Sequence, residues 1–146
     1  MFADFLKRLT APAPAPLDQT DARLALTTLL VRIARADNHY SSIEAARIER
    51  IITERYALAP SDAQSLMRDS EALEAEAPDT VRFTRAIKDA VAHDDRIAVI
   101  EAMWSVALAD GQRDAEEDAL LRLSANLLGI NDKDSALARQ RVAATK

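Results

Sequence analysis

The chain has no cysteine, which removes disulfides, thiolate metal sites and thiol redox chemistry together. It has only two glycines, and no glycine-rich phosphate cradle can be found. Aromatic residues make up only 4% of it, so the interior must be built from Ala, Leu, Ile and Val. No apolar run approaches the ~20 residues that span a bilayer. Met1 to Leu9 lacks the long apolar core and small-residue cleavage pattern of a secretory signal. A cytoplasmic location is the expectation by elimination. Basic residues are in deficit, 19 against 24 acidic, for a formal net charge of −5. Such a chain is repelled by phosphate backbones, and no basic stripe with interleaved aromatics offsets this, so nucleic acid is not an expected partner. No nucleophile elbow and no paired nucleophile and base stand out, so an enzyme is not expected either. No stretch alternates with a period of two for long enough to argue a strand.

What is present is helix-forming. The 146 residues are 49% apolar, enough for one domain with a real core, and Ala, Leu, Glu and Arg lose least on entering a helix. The predicted class is all-α. Residues 1–17 form a separate leader: Phe2, Phe5, Leu6 and Leu9 on one side of a short helix, then the Ala-Pro alternation Ala11 to Pro16 as a semi-rigid spacer. The leader could be a detachable docking or membrane-surface helix, or a frayed segment that folds back on the domain of residues 18–146.

Within that domain, Asp18 or Thr20 caps a helix to about Ala36, and Ser41 or Ser42 starts another ending near Tyr56. Pro60-Ser61 opens a third, with Ser61 and Gln64 in capping-box spacing. Glu71 to Pro78 reads as a loop or frayed end. Asp79 caps a helix to about Ala92, Asp94 or Asp95 one to Ala109, and a sixth runs from Ala115 to Leu128, stopped by Gly129. A last helix begins near Asn131.

Two of these hairpins repeat. A shift of 73 positions sets Asp37 on Asp110, Leu26 on Val99, Leu30 on Met103, Val31 on Trp104, Ile33 on Val106, Ala34 and Ala36 on Ala107 and Ala109, Glu44 on Glu117 and Ile48 on Leu121. The shared Ala-x-Ala-Asp, equal turn length and shared Glu argue for two similar helical halves about a pseudo-twofold axis.

Each half thus places an Asp where one helix ends (Asp37, Asp110) and a Glu just inside the next (Glu44, Glu117). An acid at a helix C-terminus opposes the dipole, at ~0.3–1 kcal/mol unless something offsets it. A hard divalent cation would do so, and symmetric packing could bring two Asp and two Glu together. The competing reading is capping. Ser41-x-x-Glu44 and Asp114-x-x-Glu117 both have capping-box spacing, and Asp37 and Asp110 could bond turn amides. Both readings stand, and they are compatible.

Other residues carry less. Asp110 to Asp114 fails as an EF-hand, because the alternating acids are missing. His39 and His93 are isolated, without zinc or di-iron spacing. Trp104 lies on an apolar stripe and reads as core. Arg47, Arg50 and Arg55 alternate with Glu44, Glu49 and Glu54 as a solvated face with local ion pairs.

Ala107-Leu-Ala-Asp110-Gly111, running through Glu117 to Leu120, Leu123 and Leu128-Gly129-Ile130, resembles the signature of TerB-like tellurite-resistance proteins, and the resemblance covers roughly Ala22 to Val142. It implies a multihelical fold with two central helices, duplicated about a pseudo-twofold axis. It also implies a role in bacterial resistance to tellurite and other stresses, and divalent metal binding through Asp37, Glu44, Asp110 and Glu117 with Asp114 flanking. The first half departs from the pattern, since Asp37-Asn38-His39-Tyr40-Ser41 lacks the Gly and the second Asp.

The expected function is a non-enzymatic stress-response module that binds a divalent cation, calcium or magnesium, and docks protein partners, with a homodimer among the states allowed. The alternative is a purely structural, co-chaperone-like interaction domain without a metal site. Direct enzymatic action on an oxyanion ranks last, for want of thiols or a cofactor motif.

Overall fold

The computed structural model describes residues 19–36, 40–76, 84–85, 87–89, 91, 93–109 and 115–144, with backbone alone for 19–21, 93 and 94. The leader of residues 1–17 lies outside them. The described residues are helical wherever they are regular: α1 (Gln19–Ala34), α2 (Ser42–Tyr56), α3 (Pro60–Glu76), α4 (His93–Ala107), α5 (Ala115–Leu127) and α6 (Asp132–Ala144). Residues 84–85 and 87–89 are helical too. The expected all-α class is therefore what the chain adopts. Among the described residues no helix is long and apolar enough to cross a membrane.

α1 and α4 are the central pair. They pack on each other; α1 makes its largest contact with α3, and α4 makes its largest with α6. α1 is enclosed on every side from Ala25 to Val31, which buries two threonines among its leucines. Each satisfies its hydroxyl within its own helix, Thr27 Oγ1 donating to Arg23 O at 2.8 Å and Thr28 Oγ1 to Leu24 O at 2.6 Å. This is the local bond available to a Ser or Thr that cannot reach water.

The repeat holds in the hydrogen bonds. α1 ends with Arg35 N donating to Val31 O at 2.9 Å and Ala36 N to Ile33 O at 3.2 Å; α4 ends with Leu108 N to Trp104 O at 2.9 Å and Ala109 N to Val106 O at 3.2 Å. Those are the same positions under the 73-residue shift. Burial agrees as well: Leu26 and Val99, Leu30 and Met103, Ile33 and Val106, Glu44 and Glu117, and Ile48 and Leu121 are buried in pairs. Ala25 and Ala98 differ, because α4 leaves open a face that α1 does not.

The repeat also reaches further than the two hairpins. α2 and α5 stop on equivalent turns, with Ala57 (φ 52°) and Gly129 (φ 81°) left-handed. There Leu58 N donates to Thr53 O at 3.1 Å and Ile130 N to Ala125 O at 2.9 Å, the long bond of a Schellman closure. The offset is now 72, because the second copy is one residue shorter. At that offset Ala63 N to Ala59 O and Ser135 N to Asn131 O, both 3.0 Å, open α3 and α6. Each half is therefore a three-helix unit.

Two expectations are corrected. α3 opens at Pro60 as expected, but Ser61 lies inside the helix and is not its cap; Pro60 holds the first position, where a missing N–H costs nothing. Glu71 to Glu76 is helix rather than loop. Leu73 is fully buried there, and Arg32 and Arg35 of α1 reach its Glu74 at 3.4 and 2.8 Å, compensating an acidic helix end that carries no base of its own.

Leu73→Ala should therefore cost about 2–5 kcal/mol in denaturant unfolding, as for a core truncation; a loop residue would lose far less. Gly129→Ala should cost about 1 kcal/mol through the backbone alone, since its added Cβ would meet only Arg96 Nη1, at 3.7 Å.

Candidate functional site

The head of α2 is a closed capping box. Ser41, extended at φ −78° and ψ 155°, accepts from Glu44 N at 3.1 Å. Glu44 Oε1 accepts in return from Ser41 N at 3.4 Å and from Ser41 Oγ at 3.1 Å. The carboxylate is only 1% exposed. In the other half Glu117, at the same position of α5, is 3% exposed. Two buried acids at equivalent positions, each in the first turn of its helix, gain from the dipole there.

Around Glu44 lies a polar cluster that ties α1 to α3. Tyr40 Oη donates to Glu71 Oε2 at 2.7 Å, and the Arg35 guanidinium stacks on the Tyr40 ring at 4.9 Å. Arg35 Nη1 also donates to Glu74 Oε1 at 2.8 Å and to Glu71 O at 3.2 Å, while Arg32 Nη2 donates to Glu74 O at 3.4 Å. Burial first, then the Glu71 hydrogen bond and charge, push the Tyr40 hydroxyl well above its ordinary range, against a smaller opposing effect of Arg35. Tyr40 therefore remains a neutral donor.

This cluster escapes sequence reasoning, because Glu71 and Glu74 fall in the stretch read as a loop. The available signal was the matched three-residue spacing of Arg32 with Arg35 and of Glu71 with Glu74, which puts each pair on one helix face.

Of the five proposed metal ligands, Glu44 and Glu117 are described, while Asp37, Asp110 and Asp114 lie outside the described residues, as do Asn38, His39 and Gly111. Among the described residues no group of three or more His, Cys, Asp or Glu is placed to hold a metal ion. Trp104 is core as expected, 8% exposed, with Nε1 donating to Ser135 Oγ at 3.1 Å. The arginine face of α2 is solvated only in part. Arg50 pairs with Glu54 at 3.4 Å in the open, but Arg47 reaches across to Ser105 Oγ at 2.9 Å and Glu44 is buried. Spacing along one helix could not foresee that α4 would be within reach.

The family model described as tellurite resistance protein TerB matches residues 23–140. The span takes in all of α2 to α5, and with them both buried glutamates. No curated protein and no solved structure gives a significant match.

Ser41→Ala removes the cap acceptor and should lower stability by about 1 kcal/mol, read as the shift in urea midpoint. Ser41→Asp, which keeps an acceptor but sets it beside buried Glu44, should recover less than the full loss.

Proposed function

The chain belongs to the TerB family, and on that premise we propose that it is a non-enzymatic module of tellurite and stress resistance that binds a divalent cation and docks protein partners. The observation that supports this is that Glu44 and Glu117, equivalent in the repeat, are both buried. A carboxylate is expensive to bury, and two of them at equivalent positions, each following an aspartate in the sequence (Asp37, Asp110), would form a set of hard oxygen donors suited to calcium or magnesium. Asp37, Glu44, Asp110 and Glu117 would hold the ion, with Asp114 flanking. The Ser41 cap does not exhaust Glu44, since an ionised carboxylate offers about four acceptor sites. The bound ion would offset charge at the helix ends and fix the two turns relative to one another. The partner-docking surface would then be conditional on the cation, with a second copy of the chain among the partners it allows.

A second reading has its own support. The closed box at Ser41 and Glu44 is what a purely structural, co-chaperone-like interaction domain would need, and it requires no metal.

Thermal unfolding of metal-stripped protein separates the two. A cation at a hundred times its dissociation constant stabilises by ~2.7 kcal/mol, several degrees in the midpoint for a domain of this size. The expected result is a rise with calcium or magnesium that disappears in the Asp37→Asn/Asp110→Asn double variant. No rise with any divalent cation would leave the carboxylates as caps.

A further inference from the structure

The repeat exposes one arginine that has lost its counterpart's task. Arg23 and Arg96 occupy equivalent positions, near the starts of α1 and α4. Arg96 is spent on backbone: Nε donates to Val91 O at 3.0 Å, Nη2 to Lys88 O at 3.0 Å and Nη1 to Leu128 O at 3.4 Å. Arg23 has none of these. At the place equivalent to Leu128 stands Tyr56, and the Arg23 guanidinium stacks on its ring at 4.8 Å. Arg55 approaches the same ring at 5.9 Å. Neither arginine meets a carboxylate among the described residues, although the chain carries five more acidic than basic groups.

Both line one cleft of about 400 Å³, whose other described walls are Ala22, Tyr56, Ala57 and Val91. No acid is among those walls. The C-terminus of α2 lies there too, but its dipole amounts to about half an elementary charge against two full guanidinium charges. Burial raises the Tyr56 hydroxyl above its ordinary range, and Arg55 and Arg23 only partly counter this; the phenol stays protonated and able to donate.

We propose that this cleft binds a phosphate group, through the guanidiniums of Arg23 and Arg55 and the hydroxyl of Tyr56. Guanidinium forks match phosphate oxygens in pairs of parallel hydrogen bonds, and both guanidiniums already lie against the Tyr56 ring, 4.8 and 5.9 Å from its centre. The volume exceeds that of a bare phosphate, and the alanine and valine walls suit the organic body of a phosphomonoester. None of its residues is among the proposed metal ligands, so the failure of either reading leaves the other in place.

The chain has two tyrosines, which supplies the readout. With ring-¹³C tyrosine, inorganic phosphate and adenosine monophosphate are titrated separately at about 0.15 M salt. The expected result is a saturable shift of the Tyr56 ring, with Tyr40 unmoved and half-saturation below about 1 mM. Arg55→Gln should weaken it at least about tenfold, the loss of one charge-assisted pair, and Arg23→Gln/Arg55→Gln should abolish it. Tighter binding of the nucleotide assigns the site to phosphomonoesters, and equal binding assigns it to the free anion. No saturable shift up to about 10 mM, a shift reproduced by sodium chloride at matched ionic strength, or one unchanged in Arg55→Gln would each overturn the proposal. Arg55 is exposed, so its variant keeps the test valid should Arg23→Gln fail to fold.

Discussion

The structure depends on the complete burial of α1. From Ala25 to Val31 it has no face in water, so its neighbours must supply walls on all sides. α3 provides the largest, α4 the next, and α2 and α5 close the remainder. Enclosure of this kind excludes charge and leaves polar side chains only the backbone to bond with. The two threonines show the cost being met locally. Towards the C-terminal end of the same helix the rule relaxes on one side, where the part-buried Arg32 and Arg35 reach out to bond α3. The apolar centre and the ionic rim are thus one constraint expressed at two depths.

Duplication supplies those walls economically, since one three-helix plan is used twice. The helix ends agree in hydrogen bonding to within 0.2 Å, and core positions agree in burial. The copies diverge where the plan does not dictate the residue. Ala63 and Met67 of α3 are buried and apolar, whereas the same positions in α6 hold Ser135, which receives the Trp104 N–H, and Arg139, which lies over the Trp104 ring at 5.7 Å. Arg96 braces carbonyls while Arg23 does not. Shared apolar positions follow from packing, whereas these differences mark side chains that one copy uses and the other does not.

Much of this was legible in the residues. Poverty in glycine and the absence of period-two patterning fixed the class. Gly129 marked the end of α5, and Ser41 with Glu44 marked the start of α2, because caps and left-handed turns are short-range requirements written in adjacent residues. The register of the repeat was readable from Ala-x-Ala-Asp. Its third helix was not, since a one-residue deletion within α5, between the positions of Leu121 and Ala125, breaks the offset and no shared polar motif spans it. Of the candidate site, the cap at Glu44 was legible; the deep burial of both glutamates was not.

By itself the sequence determined what local chemistry can determine: helix, cap, turn and the positions that must face inward. Only the tertiary structure decided what meets across space. It made helix of Glu71 to Glu76, where composition suggested a loop, because buried Leu73 and two arginines of another helix outweigh a poor local end. It turned Arg47 from a solvated face towards Ser105 and put Tyr40 beside Glu71. It also left Arg23 on Tyr56 while Arg96 was consumed. Long charged side chains reach several ångströms from their own helix, so their partners are set by packing and not by spacing.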